Sequence, residues 1–287
     1  MRLKSQASVA LASLALMLFS PSALSATVSF TATYNGGSGT QNISGKEPST
    51  TGKYPVFIYL VGTSESYTST HATQTVDGMA NRGYVSASVQ YPNSSFGYCS
   101  TMTSRSRAIF DAANTNSAVN RLCARAKADC SKGVVVSGFS QGSVLATLSK
   151  NYDSSVRAVY GQGIGVEYSF YDLRSCMANG NHVLPGDRLR AVTGEDDGFM
   201  GSTRTSVRLQ QEELTGMYCG FGATSCERAN GSGWQMVMDG DVFDSSADHC
   251  YMHAYGCTGP MDSRWSTGSG AWAMNYNLDW LSGFTDP

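Results

Sequence analysis

Charged residues are scarce in this sequence, and they form no basic run. Asp, Glu, Lys and Arg make up 15% of its 287 residues, and the formal net charge is −2 at pH 7. Binding of nucleic acid depends on clustered positive charge that neutralises phosphates, so the composition argues against a nucleic-acid partner. Hydrophobic residues reach 41%, a fraction that supports a packed core and argues against global disorder.

Long apolar runs are also absent, apart from one near the N-terminus. Val9–Phe19 is followed by the small residues of Ala23-Leu24-Ser25, a pattern typical of a signal peptide. A bilayer-spanning helix needs about 20 apolar residues, so the run is too short for an uncleaved anchor. We therefore predict a signal peptide over residues 1–25, cleaved after Ser25 or Ala26. The protein is then secreted, extracellular or periplasmic, without stable membrane insertion.

The chain has eight cysteines but none of the CxxC-type spacings that zinc sites favour. An even number of cysteines in an exported protein is typical of disulfides. Three pairs share a separation of seven residues, and the two remaining cysteines pair by elimination. The predicted disulfides are Cys99–Cys176, Cys123–Cys130, Cys219–Cys226 and Cys250–Cys257.

Short apolar segments alternate with helical patterns along the rest of the chain. Thr27–Ala32 alternates as an edge strand does, and continuous apolar runs predict strands buried on both faces. The predicted inner strands are Val56–Val61, Tyr84–Tyr91, Val134–Val136, Val156–Tyr160, Leu189–Thr193 and Trp234–Met238. The predicted helices include His71–Asn81, Arg105–Ala128 and Ala271–Leu281. This order predicts an α/β fold over residues 26–287 as one domain, with a mostly parallel central sheet and helices on both faces.

The strongest motif is Gly138-Phe139-Ser140-Gln141-Gly142, between the Val134–Val136 strand and a helical pattern. A serine at such a sharp strand-to-helix turn is lifted above the sheet, and small residues on both sides let the chain pass close to it. The turn also directs the backbone N–H of Gln141 toward a bound substrate. The alternative is a glycine-rich turn with no chemistry.

At these residues the chain resembles the α/β-hydrolase superfamily. The segment Val134–Gly142, VVVSGFSQG, is similar to the elbow of cutinases, small carboxylesterases and acyl-protein thioesterases. The likeness to cutinases ends there, because the spacing of the later residues is wider than theirs. The resemblance implies Ser140 as nucleophile, followed along the chain by an acid and then a histidine.

The acid should follow a strand well past Ser140. Leu189–Thr193 leads into Gly194-Glu195-Asp196-Asp197-Gly198, which resembles the G-x-x-D turn of the superfamily and selects Asp197. Asp196 and Glu195 stay open as alternatives, as does a solvated acidic turn without a catalytic role.

The base must come from four histidines. The chain order implied by the superfamily excludes His71 and His182, since both precede the acid. His249 follows the last predicted strand and directly precedes Cys250, whose disulfide would fix the loop around the imidazole. We therefore predict His249 as the base, with His253 as the alternative.

A second donor for an oxyanion should come from the loop after the early strand Val56–Val61. The superfamily often has His-Gly-x there, and this chain has Val61-Gly62-Thr63. Thr63 is the predicted backbone donor beside Gln141, with Ser64 next. The alternative is an ordinary strand-ending turn. Gly161-Gln162-Gly163-Ile164-Gly165 lacks the GxGxxG spacing of nucleotide sites, and we predict no metal or other cofactor.

Together these residues predict a secreted serine esterase that cleaves small-molecule or polymeric carboxylic esters. A short-chain esterase is favoured over a lipase, because Tyr168–Gly186 is the longest candidate lid and the predicted Cys99–Cys176 disulfide would stiffen it. Alternatives are a lipase, a polyester or polysaccharide-ester depolymerase, a serine peptidase of the same fold, a thioesterase, or a non-catalytic binding protein on a hydrolase scaffold.

Overall fold

The computed structural model describes residues 26–37 and 39–286. The predicted signal peptide, residues 1–25, lies outside this part of the chain. Two β-sheets and eight α-helices are present in the described residues. The strands are β1 (Thr27–Asn35), β2 (Thr40–Pro48), β3 (Val56–Leu60), β4 (Val85–Val89), β5 (Val134–Phe139), β6 (Val156–Gln162), β7 (Glu167–Tyr168), β8 (Tyr171–Asp172), β9 (Leu189–Gly194), β10 (Ser225–Glu227) and β11 (Gly233–Val237). The helices are α1 (Thr70–Ala80), α2 (Cys99–Phe110), α3 (Ala118–Cys123), α4 (Gln141–Leu148), α5 (Arg174–Met177), α6 (Arg204–Thr215), α7 (Ser263–Ser266) and α8 (Met274–Ser282).

Nine strands form one sheet in the order β1-β2-β4-β3-β5-β6-β9-β11-β10. The six strands from β4 to β11 in this order are parallel, and antiparallel strands lie at both edges. β7 and β8 pair as a separate short hairpin. The predicted α/β class is thus confirmed: a mostly parallel central sheet with helices on both faces.

The inner strands are apolar throughout because both of their faces are covered. Every residue of β3, β4, β5 and β9 is buried. α1 packs on β3 and β4 and touches α8, whereas α4 packs on β5 and β6 and touches α2. Parallel strands end at one edge of a sheet, so the loops after β3, β5, β9 and β11 meet there, and this edge is where α/β folds place their sites.

One charged side chain lies inside the parallel sheet. Arg190 of β9 is fully buried, and it donates to Asn277 Oδ1, to the carbonyl oxygen of Ala271 and to that of Gly231. It also pairs with Glu227 at 2.9 Å. These partners offset the cost of removing a guanidinium from water.

Two predicted helices differ in extent from those observed. The pattern over Arg105–Ala128 is split into α2 and α3, because Asp111 and Asn114 accept hydrogen bonds from backbone N–H groups two residues on and form turns instead. The last helix begins at Met274, not Ala271, so Trp272 precedes it. A helix over Ala271–Leu281 would place Trp272, Tyr276 and Trp280 on one face, but Trp272 precedes the observed helix and Tyr276 is 43% exposed.

Candidate active site

Ser140 occupies the turn between β5, which ends at Phe139, and α4, which begins at Gln141. Its backbone has φ 52° and ψ −120°, a conformation that residues with a side chain rarely adopt. Two glycines make the turn possible. A Cβ on Gly138 would lie 2.4 Å from the backbone of Gly142, and a Cβ on Gly142 would lie 2.1 Å from a backbone oxygen of β3.

His249 and Asp197 are brought together from loops 52 residues apart in sequence. His249 Nδ1 lies 2.7 Å from Asp197 Oδ2. The Asp197 carboxylate is fully buried, and its other oxygen accepts the backbone N–H of Phe199 at 2.9 Å. A proton on Nδ1 therefore points to the carboxylate, which leaves Nε2 as the acceptor that a general base needs.

Ser140 and His249 line the same cavity. The Ser140 hydroxyl forms no hydrogen bond with any part of the chain that the structure describes. Hydrogen bonds between nucleophile and base are often long in unliganded enzymes and shorten when substrate binds. Aromatic rings confine the imidazole, with that of Phe139 at 5.0 Å and that of Phe199 at 4.6 Å between centroids.

Asp196 and Glu195, the two alternatives to Asp197, lie in different environments from it. Asp196 is exposed, and its pKa is raised by partial burial and by the charges of Asp239 and Glu195. Glu195 is buried but pairs with Arg204 and accepts the backbone N–H of Asp239. Of the three acidic residues in this turn, only Asp197 contacts a histidine.

The other three histidines have distinct environments. His253 lines the cavity, but its Nδ1 lies 2.9 Å from the carbonyl oxygen of Gly259, and burial lowers its pKa. His71 is fully buried beside the hydroxyl of Tyr59. His182 is 8% exposed, and burial lowers its pKa. None of the three contacts Asp197.

Two backbone N–H groups beside Ser140 are free to bind an oxyanion. Within the described chain, neither Gln141 nor Thr63 donates its backbone N–H to an acceptor, and both residues lie at turns that follow neighbouring strands, β5 and β3. Ser64, the alternative to Thr63, donates its N–H to the carbonyl oxygen of Asn93 at 2.8 Å. That bond leaves Thr63 as the available donor of this loop.

The loop that contains Thr63 is held in place by hydrogen bonds from buried and half-buried side chains. Tyr91 donates to the carbonyl oxygen of Val61 at 2.6 Å. Asn93 Nδ2 donates to the carbonyl oxygens of Gly62 at 2.7 Å and Glu65 at 2.8 Å, and Glu65 Oε2 accepts the N–H of Gly62 at 2.9 Å. Sequence reasoning missed Glu65 and the role of Asn93. The available signal was that polar residues follow two strands, β3 and β4, that lie side by side.

Glu65 is charged although it is largely buried. Burial raises the pKa of its carboxyl, but hydrogen bonds and charge from His71, the Ser69 hydroxyl and the Gly62 N–H outweigh that effect. Its pKa therefore lies below the ordinary value of 4.5. The carboxylate remains an acceptor for the Gly62 N–H at neutral pH.

All eight cysteines are paired in the structure. The disulfides are Cys99–Cys176, Cys123–Cys130, Cys219–Cys226 and Cys250–Cys257, the same pairs that the spacing predicts. Cys250–Cys257 lines the cavity and begins one residue after His249.

The cavity at Ser140 has a volume of about 720 Å³. Six aromatic side chains line it, together with small and polar residues from two loops, 63–69 and 250–258. The aromatic ones are Phe96, Phe139, Tyr168, Phe170, Tyr171 and Phe199. A larger cavity of about 900 Å³, between α1 and α8, contains none of the predicted catalytic residues.

Two further properties concern only the described residues. None of their helices has both the length and the apolar character needed to cross a membrane. No group of three or more His, Cys, Asp or Glu side chains is arranged to hold a metal ion.

No protein-family model matches the chain, and no curated protein matches it. Solved structures are similar to it at low identity. One, from Klebsiella pneumoniae subsp. pneumoniae and described as a candidate dienelactone hydrolase, is 14% identical; the match covers 74% of this chain and 85% of that one, with a TM-score of 0.45. Another, an α/β serine hydrolase without lid from Xanthomonas campestris, is 12% identical over 73% and 82% of the two chains, with a TM-score of 0.46.

Proposed function

We propose that the protein is a secreted serine hydrolase that cleaves carboxylic esters through an acyl-enzyme intermediate. The observation that carries the proposal is the buried Asp197–His249 pair, whose histidine lines the same cavity as Ser140, a serine in a strained strand-to-helix turn. Strained backbone conformations of this kind concentrate at functional sites. Four disulfides support secretion, because such bonds persist in oxidising compartments.

In the first half of the reaction, Ser140 Oγ attacks the ester carbonyl carbon while His249 Nε2 takes the hydroxyl proton. Asp197 stabilises the imidazolium that forms. The N–H groups of Gln141 and Thr63 stabilise the negative oxygen of the tetrahedral intermediate. The C–O bond to the alcohol then breaks, His249 returns the proton to the leaving oxygen, and the acyl group stays on Ser140.

In the second half, water replaces the alcohol. His249 removes a proton from that water, and the resulting hydroxide attacks the acyl carbon. The tetrahedral intermediate collapses, Ser140 Oγ recovers its proton from His249, and the free carboxylic acid leaves. The chain's own residues supply every proton transfer in this cycle.

A rigid segment beside the cavity favours an esterase over a lipase. The segment from β7 to α5 is joined to the start of α2 by Cys99–Cys176. Arg174 in this segment forms an ion pair with Glu213 of α6 and further ion pairs within the segment, with Glu167 and Asp172. A lipase that works at an oil surface usually exposes apolar surface by moving a lid, and these links oppose such a movement.

A fluorophosphonate probe tests the nucleophile directly. We expect the probe to label Ser140 alone, and Ser140→Ala to abolish labelling and lower kcat for ethyl acetate by about 10⁴-fold or more. Ser245→Ala is a matched control, since Ser245 is an exposed serine that also has a positive φ. Near-normal turnover in a folded Ser140→Ala protein would falsify the proposal, and hydrolysis of peptide amides at comparable rates would make it a peptidase.

A further inference from the structure

Four aromatic rings form a continuous row from the surface to the catalytic site. The ring centroids of Tyr98 and Tyr171 are 4.9 Å apart, those of Tyr171 and Phe96 are 5.1 Å apart, and those of Phe96 and Tyr168 are 4.8 Å apart. Tyr98 is 56% exposed, whereas Tyr168 is 3% exposed. We call these four residues the aromatic row.

The inner end of the row touches the base. The ring of Tyr168 lies edge-on to that of His249, with 6.3 Å between centroids. The Tyr168 hydroxyl donates to the carbonyl oxygen of Gly163 at 2.9 Å and accepts the N–H of Gly165 at 3.2 Å. These bonds satisfy the hydroxyl, so the side of Tyr168 that lines the cavity offers an apolar ring surface.

The row is held in place before any ligand arrives. Tyr98 directly precedes Cys99, whose disulfide partner Cys176 lies in α5, just after the β8 strand that contains Tyr171. Arg174 adds an ion pair from the same segment to Glu213 of α6. Preorganised aromatic side chains bind with little loss of conformational entropy.

The charge of the cavity limits what the row can bind. Among the described residues that line the cavity, none is Lys or Arg. Its one carboxylate, that of Glu65, already accepts hydrogen bonds from Gly62 and Ser69. The cavity therefore suits an uncharged ligand, since it offers no Lys or Arg side chain to pair with the charge of an anionic one.

The position of the row beside His249 indicates which part of an ester it meets. In the proposed reaction His249 protonates the leaving oxygen, so the alcohol part of the ester must lie against the imidazole. The rings of Tyr168 and Phe199 pack on that imidazole. Beyond the row, Phe139, Phe170 and Phe199 also line the cavity, and its other lining residues are mainly the small and polar ones of loops 63–69 and 250–258, against which a short acyl group would lie.

We propose that the aromatic row is a binding subsite for a ring in the alcohol part of an uncharged, short-chain acyl ester. The ring, aromatic or sugar, packs against the faces of Tyr171 and Phe96. This inference rests on the proposed esterase function and makes it more specific, because the acyl group is small and recognition lies on the leaving group.

Benzyl acetate and methyl phenylacetate provide a matched test. They are isomers that carry the same ring on opposite sides of the ester. We expect kcat/KM for benzyl acetate to exceed that for methyl phenylacetate by at least tenfold, after correction for their rates of hydrolysis by hydroxide. Equal values, or a preference for methyl phenylacetate, would overturn the assignment of the row to the alcohol part.

Variants of the row provide the second test. Tyr171→Ala should lower kcat/KM for benzyl acetate by about tenfold, which corresponds to about 1.4 kcal/mol, and should lower that for ethyl acetate by less than threefold. Phe221→Ala is the control, because Phe221 is 93% exposed and lies outside the cavity, and both rates should keep the wild-type value. An equal loss on both esters in Tyr171→Ala would indicate a structural effect and refute the subsite.

A third arm separates the two sources of the ring. A monoacetylated methyl pyranoside replaces benzyl acetate. The ester whose kcat/KM falls further in Tyr171→Ala carries the preferred ring. If neither ring-bearing ester is affected more than ethyl acetate, the subsite is refuted. The esterase proposal is tested separately, by labelling of Ser140 and by hydrolysis of ethyl acetate by the wild type. If both are observed, a negative result here refutes the subsite alone.

Discussion

The carboxylate of Asp197 and the imidazole of His249 are joined by a hydrogen bond of 2.7 Å, and Asp197 has no exposed surface. An amide at this position could still accept a hydrogen bond, but it could not stabilise the imidazolium and would favour the wrong tautomer.

Replacement of Asp197 and of its neighbour Asp196 should therefore affect kcat to very different extents. Asp197→Asn should lower kcat for ethyl acetate by about 10³–10⁴-fold. Asp196→Asn changes an exposed side chain one residue away and should lower kcat by less than threefold. Steady-state kinetics of both variants, with circular dichroism to verify folding, checks this. A larger loss in Asp196→Asn would place the catalytic acid there.

Gly163 allows the chain to pass close to His249, the proposed base. Its φ is +54°, and an added Cβ would lie 3.0 Å from His249 Cε1 and 3.1 Å from Phe139 Cε2. Gly163→Ala should therefore displace the imidazole and lower kcat by about tenfold or more. Gly83→Ala is the control. Gly83 also has a positive φ, +88°, but a Cβ added there would have no neighbouring atom within 4 Å.

Both glycine variants carry the same kind of backbone strain, of about 1–2 kcal/mol. Thermal unfolding should thus show a loss of stability in both variants, with a further loss in Gly163→Ala from the contacts of its Cβ, while kcat, measured below both Tm values, falls only in Gly163→Ala. Equal kcat values in the two variants would show that the close approach of Gly163 does not position His249.

The carboxylate of Glu65 makes the stability of the folded protein depend on pH. It accepts hydrogen bonds from Gly62 and Ser69, on either side of Thr63 in the same loop. Because its pKa is lower in the folded protein than its ordinary value of 4.5, the carboxylate stabilises the fold above that value. This stabilisation is lost as pH falls through the folded-state pKa. Glu65→Gln should cost about 2 kcal/mol at pH 7, or several degrees in Tm.

The difference in Tm between wild type and Glu65→Gln should shrink as pH decreases from 7 to 3. Glu167→Gln removes a half-exposed ion pair with Arg174 and should cost less than about 0.5 kcal/mol throughout. A difference for Glu65→Gln that stays constant over this pH range would contradict the proposed charge on Glu65.

Two disulfides close loops of equal length, but only one of them lies next to His249. Cys250–Cys257 and Cys123–Cys130 both join residues seven positions apart, so each should contribute about 2–3 kcal/mol in the chain-entropy model. Only the former adjoins His249. The double variant Cys250→Ala/Cys257→Ala should lower kcat by about tenfold, measured below the Tm of both proteins, whereas Cys123→Ala/Cys130→Ala should not. Similar kcat values would show that the disulfide does not orient the base.

Much of the architecture could be predicted from local sequence because the inner strands are apolar on both faces. Val56–Val61 and Val134–Val136 read as buried strands without any knowledge of their neighbours. The turn at Ser140 was equally visible from the local sequence, because its two glycines directly flank the serine between an apolar strand and a helical pattern. Helix limits were less predictable, because turns at Asp111 and Asn114 compete with helix through local side-chain bonds.

The buried polar network of the site depends on contacts between distant parts of the chain. Asn93 reaches Gly62 across 31 residues, and His71 reaches Gln162 across 91. Arg190 looks out of place in a strand until Asn277, 87 residues later, is seen to accept its hydrogen bond. The aromatic row likewise joins segments about 70 residues apart. No local pattern encodes these pairings.

The amide of Asn93 has a consequence for how the protein is produced. Asn93-Ser94-Ser95 is an acceptor sequence for N-linked glycans, and the same amide nitrogen donates to Gly62 and Glu65. A sugar attached there would remove one of its two protons and crowd the loop that presents Thr63. Yeast or mammalian secretion would therefore yield glycoforms of reduced activity, whereas a bacterial host leaves Asn93 intact.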